Sequence, residues 1–126
     1  MDISEGMLNE CIKKIDKFRW ENIELIQGCA EYLPLKAMKF DRVLIGGAIS
    51  YFSDYFSDAK KAVENAVRVA KVGGKIVLFE QITILEKLLG KDKPPIKSLP
   101  ENVNIQFIKY IFDDRFYIVK LVKVKS

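Results

Sequence analysis

Histidine is absent from the 126 residues. That removes imidazole as a base, a nucleophile's partner or a metal ligand, so Ser-His-Asp and Cys-His catalysis are excluded within the chain. Two cysteines, Cys11 and Cys29, are too few for a disulfide scaffold, and their spacing is no zinc pattern. Lone cysteines without a scaffold point to a reducing cytoplasm. No window approaches eighteen uninterrupted apolar residues, so no membrane partner is expected. The start, MDISEGMLNE, lacks the basic region and apolar run of a secretory signal. Arginine is scarce: 17 Lys and 4 Arg face 17 acids, for a net charge of +4. Because the lysines are scattered, the excess reads as solvated surface and speaks against a nucleic-acid partner.

What is present is an ordinary globular balance, 49% hydrophobic and 30% charged, enough for one domain over residues 1–126. Residues 5 to 19 carry Leu8, Cys11, Ile12, Ile15 and Phe18 at helical spacing, with Ser4 as N-cap. NIELIQ (22–27) reads as a short strand ended by Gly28, and FDRVLIG (40–46) as a second. Residues 57 to 71 form the clearest helix, with Ala62, Val63, Ala66, Val69 and Ala70 on one face. Lys71, Gly73 and Gly74 read as its stop. KIVLFE (75–80) is a continuous apolar run, as in a parallel strand covered on both faces. Residues 81 to 90 read as another helix and the proline-bearing stretch 91–102 as a loop. The end predicts an antiparallel hairpin around Asp113 and Asp114.

Strands alternating with helices imply an α/β domain with a mainly parallel sheet and a C-terminal antiparallel hairpin. Ligands of such sheets sit outside the carboxyl ends of the strands. That directs attention to four places: 2–5, 28–31, 46–51 and 80–81.

Those places carry a resemblance. DISEGML (2–8), GCAEYLPL (28–35), FDRVLIGGAISYF (40–52) and RVAKVGGKIVLFE (68–80) are similar, in order and spacing, to the C-terminal two-thirds of a class I S-adenosylmethionine-dependent methyltransferase. The small-molecule group that includes the quinone-biosynthesis enzymes is the most similar. The resemblance implies a Rossmann-like sheet, S-adenosyl-L-methionine as cofactor and a small-molecule methyl acceptor.

By the same resemblance, Asp2 ends the family's second strand and accepts both ribose hydroxyls, a task that suits a carboxylate. The competing reading is an acid at a helix start. Ile3 lies against adenine or in the core. Gly28-Cys29-Ala30-Glu31 stands where the family usually has Gly-Asp-Ala-Glu. Cys29 replaces an adenine-binding Asp and reads equally as a small buried hydrophobe, while the backbone of Ala30 keeps its contact with the ring. Gly46 and Gly47 face the methionine part of the cofactor or simply make a turn. Ser50, Tyr51 and Phe52 face the substrate or pack in the core. Glu80 orients a substrate or is a solvated strand end. Lys71-Val72-Gly73-Gly74 resembles the family's structural Lys-Pro-Gly-Gly turn.

The family's glycine-rich cofactor loop has no counterpart. Relative to the family, the first strand, the first helix and most of the second strand are missing. Strands 22–27 and 40–46 thereby lose the neighbours that would lie between them. Three outcomes follow: the protein starts upstream of Met1, segment 22–27 pairs directly with 40–46, or two chains join their open edges as a homodimer. The functional expectation is methyl transfer by direct displacement. The alternative is a catalytically silent binding or dimerisation module. A dehydrogenase-type Rossmann domain fits less well, because Gly73-Gly74 precedes a strand. A nucleic-acid methyltransferase fits poorly too, because Gly-Gly-Ala-Ile replaces that group's Asn/Asp-Pro-Pro-aromatic motif.

Overall fold

A computed structural model describes residues 1–47, 59–90, 93, 94, 96 and 99–126. The elements are α1 (Glu5–Phe18), a 3-10 turn (Ala30–Tyr32), β1 (Phe40–Gly46), α2 (Ala59–Val69), β2 (Ala70–Gln81), α3 (Ile84–Leu88), β3 (Val103–Ile111) and β4 (Phe116–Lys123). The expected loop between α3 and β3 holds no strand among its described residues. Ser50, Tyr51 and Phe52 lie outside the described residues.

One four-stranded sheet has the order β1-β2-β4-β3. β1 and β2 run parallel, which requires a crossover, and α2 supplies it. β4 then pairs antiparallel with both β2 and β3. The α/β class stands, but the sheet is mixed: the β1–β2 ladder is its one parallel ladder among the described residues.

Alternation puts one face of the sheet against α2. Ile45, Ile76, Leu78, Val119 and Leu121 point that way and meet Val63, Ala66 and Val67 of the helix. Ile76 and Leu121 are fully buried, and such side chains contribute about 2 kcal/mol each. The opposite face carries Leu44, Val77, Phe79 and Ile118 and is only partly covered; Leu44 is 71% exposed.

Three expectations change. Helix α2 passes straight into β2 at Ala70, so the 71–74 stretch is a distortion within an extended strand instead of a separate turn. The β1–β2 register shifts between Phe40 and Arg42 to accommodate it. Gly73 there takes φ +80, and a Cβ on Gly74 would stand 2.7 Å from the Lys71 carbonyl oxygen. Segment 22–27 is not a strand. Only Gln27 bridges, in parallel, to Asp2, and nothing in the segment pairs with β1. Lys123, read as solvated, is buried, and its Nζ donates to the Ala70 carbonyl at 2.9 Å. The last turns of β4 thus pin the helix-to-strand junction.

Helix α1 has good ends and no packing. The Ser4 hydroxyl accepts the Met7 N–H, and Arg19 closes the other end in the left-handed region. Yet no residue of α1 is buried: in its apolar stripe Leu8 and Ile15 are half-buried, and Ile12 and Phe18 are exposed. A fourteen-residue helix that buries so little is marginal in water.

At the start of the β1–β2 pair, Lys71 Nζ lies 2.9 Å from Asp41 Oδ1. That hydrogen bond, reinforced by the ammonium's charge, holds the Asp41 carboxyl below its usual 3.8. A depressed carboxylate pKa stabilises the fold above the unfolded value, and the contribution disappears as pH falls through the folded value. Lys71→Ala is expected to move the Asp41 titration midpoint upward, toward the ordinary carboxylate range, as followed by carboxyl-carbon NMR. Gly74→Ala drives a Cβ into backbone and costs on the order of 2 kcal/mol, read as a lower urea midpoint.

Candidate functional site

The site is built where short backbone segments converge beside the carboxyl end of β1. Asp2 is held by two main-chain bonds: its N–H donates to the Ile26 carbonyl at 3.2 Å, and its carbonyl accepts the Gly28 N–H at 3.0 Å. Its carboxylate Oδ1 accepts the Ser4 N–H at 2.8 Å, an Asx turn that fixes the side chain just before α1. Among the described residues nothing else engages that carboxylate, so Oδ2 remains open to a ligand's hydroxyl. Asp2 therefore is both a helix-start acid and an available acceptor.

Ile3 is 68% exposed, which removes the core reading. Its carbonyl accepts from Gln27 Nε2 at 3.2 Å, a second tie between these two segments. Cys29 is half-buried and extended, and its carbonyl accepts the Tyr32 N–H as the 3-10 turn begins. Ala30 follows as the first residue of that turn.

Met1, Ala30 and Gly46 line one open cleft of about 290 Å³, whose floor includes Ala62, Ala66 and Val69 of α2. The cleft runs along β1 past Val43, Leu44 and Ile45. Gly47, at its end, has φ +67 and donates its N–H to the Phe79 carbonyl at 3.0 Å. A glycine is suited to that left-handed geometry. Gly46 needs no special dihedral, and a Cβ there would make only ordinary contact with Phe79. The structure thus places Ala30 and Gly46 on one cleft, with Asp2 bonded to the segment that leads into Ala30 and Gly47 directly after Gly46.

Glu80 is a correction. It is 4% exposed, paired in register with Tyr117, and is not a solvated strand end. Alternation places it on the α2-facing side of the sheet with Leu78.

The residues that shape the cleft wall were not singled out from the sequence. Arg68 of α2 donates from Nη1 to the Leu35 carbonyl at 2.8 Å and from Nη2 to the Leu33 carbonyl at 3.0 Å. Its Nε donates to Asn65 Oδ1 at 3.0 Å. Asn65 Nδ2 in turn donates to the Glu31 carbonyl at 2.8 Å and to the Lys61 carbonyl. This fork fastens segment 31–35 onto the helix, one turn from the apolar floor. The available signal was one Arg three residues from an Asn on an apolar helix face, which does not identify distant carbonyls as partners.

Removing the guanidinium leaves the Leu33 and Leu35 carbonyls and Asn65 Oδ1 without that donor. Arg68→Met is expected to destabilise by about 3 kcal/mol. Hydrogen exchange should show segment 31–35 losing protection before the sheet does. Arg68→Lys, which cannot reproduce the fork, should recover little of it.

A profile of the ubiE/COQ5 methyltransferase family matches residues 1–92. The ubiquinone/menaquinone biosynthesis C-methyltransferase UbiE of Wigglesworthia glossinidia brevipalpis is 32% identical over 127 residues, covering 98% of this chain and 48% of its own length. The demethylmenaquinone methyltransferase of Shouchella clausii is 38% identical over 80 residues, 64% of this chain and 32% of its own. The chain thus spans about half of the first relative and a third of the second. Among solved structures, a SAM dependent methyltransferase from Aquifex aeolicus superposes with a TM-score of 0.68 at 15% identity, over 97% of this chain and 66% of that one. At that identity the likeness is one of fold. No helix among the described residues is long and apolar enough to cross a membrane.

Proposed function

The chain belongs to the ubiE/COQ5 methyltransferase family, and we propose that it carries the adenosine-binding and acceptor-facing part of a site for S-adenosylmethionine-dependent methyl transfer. The observation that supports this most is the cleft that Met1, Ala30 and Gly46 line together, with Asp2 next to Met1 and bonded to Gly28 just before Cys29 and Ala30. S-adenosyl-L-methionine supplies an electrophilic methyl on a sulfonium. The residues present fit its adenosine end. Asp2 offers an open carboxylate oxygen for a ribose hydroxyl, and charge-assisted bonds of that kind are short and strong. Ile3, exposed beside it, offers an apolar surface to the base. Cys29 gives only a weak sulfur acceptor, so the base is read chiefly by the backbone at Ala30.

Gly46 and Gly47 leave room at the carboxyl end of β1 for the sulfonium end to approach. The chain's catalytic contribution is placement: direct displacement is governed by alignment of acceptor and methyl carbon. Ser50, Tyr51 and Glu80 are the candidates for facing the acceptor. The relatives' names point to a carbon atom of a quinone-type ring. The apolar lining from Leu33, Leu35 and Val43 suits such a ring. The relatives lend no weight to a silent binding module.

Calorimetric titration with S-adenosylhomocysteine tests the reading. Binding in the micromolar range, weakened about tenfold or more by Asp2→Ala (about 1.4 kcal/mol), is the expected result. Equal affinity in the variant removes Asp2 from the site, and absence of heat at millimolar ligand overturns cofactor binding by this chain. Gly47→Ala, strained at φ +67, should lower stability by about 1 kcal/mol, read by thermal melting.

A further inference from the structure

We propose that the outward face of α3 and the neighbouring tip of the β3–β4 hairpin form a contact surface for a second copy of this chain. Helix α3 is inside out. Ile84, Leu85, Leu88 and Leu89 fall on one stripe of the helix, and all are exposed, Ile84 at 80% and Leu88 at 78%. The buried side chain is the carboxylate between them: Glu86 is 4% exposed. Its Oε2 accepts the Thr83 N–H at 2.6 Å and the Thr83 hydroxyl at 2.8 Å, and Thr83 Oγ1 accepts the Glu86 N–H at 3.2 Å. Turning the helix to bury its leucines would break this capping box and carry the carboxylate off its donors. Polar bonds therefore hold the apolar stripe outward, as a patch that a lone chain leaves in water.

What surrounds the stripe decides the kind of partner. Ile84 stands at the rim of a hollow of about 640 Å³, lined also by Lys87 of α3 and by Asp113, Asp114 and Arg115 of the hairpin tip. The Ile82 N–H donates to the Arg115 carbonyl at 2.6 Å and ties the two elements together. Phe112, at the same tip, is exposed as well. The four charged side chains are exposed, and no ion pair joins them among the described residues. A projecting apolar stripe, a hollow beside it and unpaired charges of both signs make a surface that complements itself. Under a two-fold axis the stripe of one copy enters the hollow of the other, and the basic pair of each meets the acidic pair of its partner. An anionic bilayer fits less well, because Asp113 and Asp114 would face its headgroups. The hairpin and β1 lie at opposite edges of the sheet, so this surface is separate from the cleft beside β1 and stands independently of cofactor binding. The homodimer expected through strand edges forms here instead.

Sedimentation equilibrium of the full chain is the test. The mass should rise with concentration toward twice 14.5 kDa. Leu88→Lys, at a position exposed in the lone chain, should raise the dimer Kd by roughly tenfold or more, with circular dichroism confirming an intact fold. Asp113→Asn combined with Asp114→Asn keeps side chains that tolerate the positive φ of both positions. That pair should raise Kd by about threefold and flatten its dependence on salt. If Leu88→Lys fails to fold, the asparagine pair still decides. A chain that stays monomeric at millimolar concentration overturns the proposal. So does a dimer that the folded variants leave intact, which places the contact elsewhere. Flotation with phosphatidylserine vesicles separates the lipid alternative, because removing two acids weakens self-association but strengthens vesicle binding. A monomeric chain that binds vesicles, and binds them more tightly as the asparagine pair, overturns the proposal in favour of a bilayer.

Discussion

The Arg68 guanidinium lies one turn from the end of α2 and bonds two carbonyls of a segment more than thirty residues earlier. Everything on the cofactor side of the sheet depends on that attachment. Segment 31–35 has no strand or helix of its own beyond the 3-10 turn. Without partners its carbonyls would have to stay in water. Fixed to α2, the same segment carries Ala30 and Leu33 into line with β1 and makes a wall. The wall makes a cleft, and the cleft brings Met1 and Gly46 to one surface although 45 positions separate them in sequence.

A second constraint works against the first. The sheet core formed by α2, β1, β2 and β4 is well packed, with Val63, Ile76 and Leu121 fully buried. Beyond β1 the packing stops. Helix α1 is well capped but buries nothing, and the Phe18–Trp20 stack at 5.2 Å covers only its own end. Stability is therefore uneven: a firm half-sheet carries a loosely attached ligand-side rim.

Much of this was legible from residue patterns. FDRVLIG is β1 to the residue, and α1 ends one position from its expected limit. The hairpin turns at Phe112–Arg115 around the paired aspartates, both with positive φ. What failed did so for physical reasons. NIELIQ has strand-like composition, but a strand needs a neighbour, and only Met1–Ile3 is present to pair with it. KVGG looked like a stop, and Gly73 does depart from the extended region at φ +80, but β2 begins before it at Ala70 and the β1–β2 register shifts to take up the extra residues. Lys123 looked solvated because its partner, the Ala70 carbonyl, lies 53 positions away. Of the residues expected at the site, Asp2 and Gly47 stand in backbone settings that suit their types, an Asx turn and a positive φ. The Arg68–Asn65 fork was not, since nothing local marks a backbone carbonyl as its target.

The strand order β1-β2-β4-β3 carries one more consequence. The last strand made is not at the margin; it sits between β2 and β3. During synthesis on a ribosome, β1, α2 and β2 emerge first and can pair, but one side of β2 stays bare while β3 passes by. Only when residues 116–123 leave the exit tunnel does β4 fill the gap, and only then does Lys123 reach Ala70. Until those residues are free, the β4 side of β2 has no partner, so the sheet closes only from its last-made strand inward.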